Sequence, residues 1–295
     1  MTTIEAPPIA RTRYTSDLAM AALAPVSWGT TYVVTATLLP PDRPLLAATL
    51  RALPAGLVLL AMTRRLPRGS WWWKATVLGM LNFGAFFPLL FFAAYRLPGG
   101  VASTIGSVQP LVVALLSMVI LRSRPARAVL YAAVAGTGGV ALLTLTAQAR
   151  LDPLGIGAML LATSLMGAAI VLTKKWGQPE SPLVMTGWQL TIGGLVLAPL
   201  TLAAEGLPST FTGQNLLGFA YLGIIGTALA YALWFRGIDA LAPTSVSLLG
   251  LTNPLVATLA GLLVLGQTLT GWQIAGFAIA LGALVAGQTL SRKSS

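Results

Sequence analysis

The chain has 295 residues, is 56% hydrophobic and only 8% charged, against roughly 25% charged residues in a soluble domain, and so reads as a polytopic membrane protein. It contains no cysteine and no histidine, which excludes disulfides, thiolate or imidazole metal sites, and Cys/His or Ser/His catalysis. The formal charge of +11 is placed as a topology signal, so the lipid bilayer is the expected partner, nucleic acid is not, and no cofactor or metal is expected.

Residues 1–16 are polar, carry Arg11 and Arg13 and lack an apolar core with a cleavage site. They read as a disordered cytoplasmic tail, not a signal peptide. Ten apolar runs follow, at about 17–38, 45–63, 75–95, 98–121, 128–147, 153–173, 182–203, 215–235, 243–265 and 271–290; about 20 apolar residues suffice for a helix to cross a bilayer. Connections are short and hold breakers such as Pro40-Pro41, Pro98-Gly99-Gly100 and Gly206-Leu207-Pro208. Residues 291–295 form a second tail.

Cations orient the chain. Arg11, Arg13, Arg64, Arg65, Arg68, Lys74, Arg122, Arg124, Arg127, Lys174, Lys175, Arg236, Arg292 and Lys293 fall on one side, against Arg43, Arg96 and Arg150 on the other. By the positive-inside rule both termini are cytoplasmic, and a bacterial inner membrane is the expected location. Trp71-Trp72-Trp73, beside the densest basic loop, fits an interfacial aromatic belt.

The two halves echo each other. Ser103–Leu115 and Ser247–Leu259 match at Ser103/Ser247, Gly106/Gly250, Pro110/Pro254, Leu111/Leu255, Val112/Val256 and Leu115/Leu259, an offset of 144. At an offset of 138, Pro44-Leu45 falls on Pro182-Leu183 and Gly56–Leu59 on Gly194–Leu197. Five spans is an odd number, so the second copy (153–290) enters the membrane inverted relative to the first (17–147). The expected fold is all-α: ten transmembrane helices as two inverted five-helix repeats.

Each matched proline lies mid-span, lacks an N–H and crowds the carbonyl four residues earlier, which belongs to Gly106 or Gly250. Two helices broken at corresponding places point to a transporter's binding site and gates. Around them, Ser103, Ser107 and Gln109, and Ser247 and Asn253, are candidate substrate contacts. The amides also suit a second role, repairing backbone groups released by the kink.

Trp28 in the first span, Asn82 and Phe86 in the third and Tyr231 in the eighth complete a mixed aromatic and polar set that suits a zwitterion with an apolar side chain. Arg51 is the one charge clearly inside a span, about 9 Å from its outer end at 1.5 Å per residue. It is either a vestibule cation for a substrate carboxylate, or a structural residue that snorkels or pairs with Asp42. Its aligned partner Gln189 is neutral. Ala132/Gly136 and Gly276/Ala280 are small-xxx-small pairs expected to pack helices, within the bundle or between subunits.

The joint pattern of Ser27-Trp28-Gly29, Arg51 and the prolines of the fourth and ninth spans resembles the drug/metabolite transporter superfamily, in particular its EamA-type exporters. The resemblance covers about residues 17–290. It implies a basket of helices around a central cavity lined by helices 1, 3, 4, 6, 8 and 9, with helices 5 and 10 outside. Met166 departs from the aromatic residue often found in the sixth helix of such proteins.

The expected function is outward transport of small metabolites, most of all aromatic or other neutral amino acids, by alternating access in a monomer or weak homodimer. All seven carboxylates lie in tails, connections or helix ends, so tight proton coupling is not expected. A multidrug or nucleotide-sugar carrier of the same superfamily is the nearest alternative; a membrane enzyme or scaffold is more remote, since no nucleophile or metalloprotease motif is present.

Overall fold

The computed structural model describes residues 8–41, 43–97, 99–145, 152–208, 210–265 and 268–294. Its regular elements among these residues are all helices. We name the helices in chain order, treating a helix and its continuation beyond a local break as one. They are α1 (Pro8–Gly29, continuing as Thr31–Leu38), α2 (Pro44–Thr63) and α3 (Trp71–Gly79, a π segment Met80–Gly84, then Phe86–Arg96). Next come α4 (Gly99–Gly106, then Gln109–Leu116 and a π segment Ser117–Leu121), α5 (Arg127–Thr144), α6 (Pro153–Trp176) and α7 (Pro182–Ala204). The last are α8 (Gly213–Gly223, a π segment Ile224–Leu229, then Ala230–Ala240), α9 (Pro243–Leu249, then Thr252–Leu265) and α10 (Gly271–Ser294).

Among the described residues, nine helices are long and apolar enough to cross a membrane. The stretch expected as the ninth span is instead two shorter pieces, because α9 is interrupted at Gly250-Leu251. Helix α1 starts at Pro8, so residues 8–16, expected as tail, form its first turns; α10 likewise runs on to Ser294. Asp42 and Arg150 lie outside the described residues.

Polar contacts between connections sort the two ends of the bundle. At the end rich in cations, Arg236 of α8 donates to Asp17 of α1 at 2.8 Å, and Arg65 pairs with Glu180. At the opposite end Arg96 meets Asp152 at 3.4 Å. There Glu205 accepts from the backbone N–H groups of Leu45 and Leu46 at 2.7 and 2.9 Å. A carboxylate at these free N–H groups offsets the positive end of the α2 dipole. Every one of these contacts joins groups that the cation pattern assigns to the same side.

Packing follows the small residues. Helix α2 lies along α7, and α5 along α10. A Cβ on Gly139 would stand 2.6 Å from the Ala280 backbone nitrogen, and one on Gly276 would stand 2.5 Å from that of Leu143. The backbones therefore touch, and the small-xxx-small surfaces of α5 and α10 are used within the bundle. Their apolar cluster, with Val140, Leu143 and Ala280, is separate from the central one. The central cluster draws on α1, α2, α3, α4 and α6 to α9 and is richest in aromatics, Phe83, Phe87, Tyr231, Trp234 and Phe235 among them.

Candidate functional site

Proline chemistry sets the two breaks. In α4 the i→i−4 ladder gives way to tighter bonds, from Val108 N to Ile105 O at 3.1 Å and from Leu111 N to Val108 O at 2.9 Å. In α9 the same happens from Gly250 N to Ser247 O and from Leu251 N to Leu248 O, both at 3.0 Å. Each break falls just before its proline, where a straight helix would drive the ring into the carbonyl of Gly106 or Gly250. The breaks meet: Gln109 Oε1 lies 3.5 Å from where a Cβ on Gly250 would stand, an ordinary contact distance.

Two further irregularities lie in α3 and α8: the first ends at Gly84, whose carbonyl is crowded by the ring of Pro88 four residues on, whereas α8 has no proline. The π segments Met80–Gly84 and Ile224–Leu229 begin 144 residues apart, the offset that also relates the prolines. A π segment frees backbone groups from the regular ladder. The carbonyl of Gly226 uses this freedom to accept two bonds, from Trp28 Nε1 at 3.0 Å and from Arg51 Nη2 at 3.0 Å.

Arg51 is only 4% exposed. Its Nε donates to Thr227 Oγ1 at 2.7 Å, and its guanidinium lies 5.2 Å from the Phe87 ring centre. Such contacts compensate a buried cation for lost water. Of the two readings of Arg51 these contacts favour the structural one, with the side chain packed into the wall between α2 and α8. In the matching contact Asn82, 2% exposed, donates to Gln189 Oε1 at 2.8 Å. Asn82 belongs to the α3 π segment and Gln189 is the aligned partner of Arg51, so the π segment of each half is tied to a polar residue of the opposite half, on α2 or α7.

The aromatic residues form a continuous group. Trp28 lies 4.9 Å from Tyr231 and 5.1 Å from Trp234, centre to centre. Tyr231 in turn meets Phe83 at 4.6 Å edge to face. Phe86 joins through Phe87 at 5.7 Å. Trp28 stays half-buried, whereas Tyr231 is 2% exposed.

The remaining candidates divide. Ser107 Oγ returns to Thr104 O at 2.7 Å and Ser247 Oγ to Thr244 O at 2.9 Å, so both hydroxyls serve the backbone beside the breaks. Ser103 and Asn253 are half-buried, and Pro110 and Pro254 are buried. The structure thus gathers Trp28, Phe86, Tyr231 and Arg51 into one group and Gln109, Gly250 and the prolines into another. It sends Asn82 to Gln189. Phe83, Phe87, Trp234 and Thr227 escaped sequence reading; the 144-residue offset, extended to α3 and α8, pairs Phe83 with Thr227 and Phe87 with Tyr231 and was the signal available.

The model of the EamA-like transporter family matches this chain twice, over residues 16–145 and 153–286. The chain belongs to the EamA-like transporter family. A relative of this EamA chain, Protein PecM of Dickeya dadantii (strain 3937), is 50% identical over 270 residues, covering 91% of each sequence. The uncharacterized transporter YwfM of Bacillus subtilis (strain 168) is 26% identical over 92% of this chain and 93% of its own. A solved crystal structure at 20% identity superposes with a TM-score of 0.79, covering 94% of this chain and 99% of that one. The EamA fold is therefore common to all of them, and the protein is a membrane transporter.

Proposed function

We propose that this EamA transporter moves a small neutral or zwitterionic metabolite, an amino acid by preference, outward across the inner membrane by alternating access between two inverted repeats. The observation that carries the proposal is an asymmetry between the ends. At the cation-rich end, Gln109–Leu116 of α4 packs on Pro243–Leu249 of α9, and α6 packs on that same piece and on Ala230–Ala240 of α8. The corresponding pieces at the other end are Gly99–Gly106 with Thr252–Leu265, and α1 with Gly99–Gly106 and with Phe86–Arg96. Among the described residues these make at most marginal contact.

If the repeats exchange conformations, the pattern at the sealed end is transferred to the open one, and a solute held between the two breaks changes sides. The sealed end is apolar and tight: Ala21, Ala24, Ile238, Leu241 and Val246 are all 0–2% exposed. By the positive-inside rule its cations support a cytoplasmic position for this end and for both termini. The half-buried Trp28 ring and the half-buried Asn253, whose backbone carbonyl lies against Gly29, suit an amino acid more than a lipophilic cation, which would call for a buried acid.

Counterflow in proteoliposomes, screened across the amino acids, tests the reading. Saturable exchange of neutral amino acids without stoichiometric proton movement is expected. Exchange of none of them, or tight proton antiport, overturns it.

A further inference from the structure

A hydroxyl or indole N–H enclosed without a partner is destabilising and rare in folded proteins. Among the described residues, such atoms lie where α1, α4, α6 and α8 come together at the cation-rich end: Tyr14 Oη on α1, Ser117 Oγ on α4, Thr173 Oγ1 on α6 and Trp234 Nε1 on α8. Ser117 and Trp234 are 1% exposed and Thr173 is 2% exposed. A helical threonine ordinarily finds the carbonyl one turn back, as Thr163 of α6 does with Met159 O at 2.8 Å. Thr173, further along the same helix, makes no such bond.

All four occupy the stripes that face the central cluster. Residues three and four apart share a helix face. On α6, Thr173 follows Met166 and Ile170; on α4, Ser117 follows Val113; on α8, Trp234 stands between Tyr231 and Ile238; on α1, Tyr14 precedes Leu18 and Ala21. Each of those apolar neighbours packs in the central cluster. These four helices also converge where that end is sealed. The charges at the rim, Asp17 and Arg236, are paired with each other at 2.8 Å.

We propose that Tyr14, Ser117, Thr173 and Trp234 line a concealed polar entry passage, which opens to the cation-rich side and hydrogen-bonds a small uncharged or zwitterionic solute on its way to the central breaks. Three hydroxyls that donate and accept, with one indole that donates, suit such a solute and offer nothing to a free ion. While that end is shut these groups have no partner, and once it opens water or solute supplies one. The sealed state is thereby kept from being too stable to leave. The passage deepens the alternating-access reading and rests on it.

The chain has no cysteine, so single-cysteine variants need no background removal. Ser117→Cys and Thr173→Cys are treated in membrane vesicles of known sidedness with a membrane-impermeant maleimide, beside two exposed controls, Lys175→Cys for the cation-rich side and Leu207→Cys for the other. Gly237→Leu supplies a wedge, because a Cβ at Gly237 already lies 2.6 Å from Ala21 Cβ where α8 meets α1. Overpacking of that kind changes a two-state ratio by about tenfold or more.

Both buried cysteines should react from the cation-rich side alone, and about tenfold faster in the wedge background. No labelling in parent or wedge while Lys175→Cys is fully modified, or labelling from the opposite side, overturns the passage. Amino-acid counterflow is measured on the same vesicles before labelling. Exchange without labelling removes the passage and leaves the transport reading; sided labelling without exchange supports the passage and removes the amino-acid reading.

Discussion

Arg51 Nε and Thr227 Oγ1 lie 2.7 Å apart, joining the middle of α2 to the π segment of α8 across 176 residues of sequence. The contact gives an arginine inside an apolar bundle a polar partner. A planar guanidinium reaches both this hydroxyl and the Gly226 carbonyl at 3.0 Å, which an ammonium on a single stem does less well.

Arg51→Ala should therefore destabilise the fold by about 1.5–3 kcal/mol, the range for hydrogen bonds to a charged group. Arg51→Lys should recover only part of the loss. Thermal unfolding of the purified protein in detergent measures both. Equal stability of the lysine variant and the parent would show that the forked geometry is irrelevant.

The matching contact between Asn82 and Gln189, at 2.8 Å, makes a second prediction. A double-mutant cycle with Asn82→Ala and Gln189→Ala should return a coupling of about 0.6–1.7 kcal/mol, as for other hydrogen bonds between membrane helices. Additive single effects would mean that the bond does not contribute.

Trp28→Phe keeps a ring near Tyr231 and removes the N–H that meets Gly226 O at 3.0 Å. We expect a small stability loss of about 0.5–1.5 kcal/mol, with a larger effect on the substrate concentration at half-maximal counterflow. Trp28→Ala should abolish saturable counterflow at unchanged surface level. A Trp28→Ala variant that transports like the parent would remove the aromatic group from the site.

Pro110→Ala and Pro254→Ala restore a backbone N–H at each break. Each should lower exchange while leaving expression and thermal stability near the parental values, because local tightening at Gly106 and Gly250 is no longer imposed. Exchange at the parental rate in the double variant would show that the bends have no part in movement.

Gly139→Leu places a branched side chain where even a Cβ would stand 2.6 Å from the Ala280 backbone nitrogen. Helices α5 and α10 must separate, at a cost of about 1–3 kcal/mol or more. Thermal unfolding checks the loss, and crosslinking between the two helices checks the separation.

What could be read from residues alone was whatever depends on a short stretch and on water or lipid. Hydropathy over about 20 residues identifies a span, cations sort the ends, and a mid-span proline breaks its helix wherever that helix goes. Hence the helical class and both breaks, at Gly106 and Gly250, are legible in the chain itself. The fate of the polar and aromatic residues is not. Arg51 reads equally well as an open cation or a wall residue until α8 supplies Gly226 and Thr227, and Asn82 reads as a substrate ligand until α7 supplies Gln189. A buried polar group takes its meaning from its partner, and these partners lie 107 to 176 residues away in the chain; only the packing of α2 on α8 and of α3 on α7 brings them within reach.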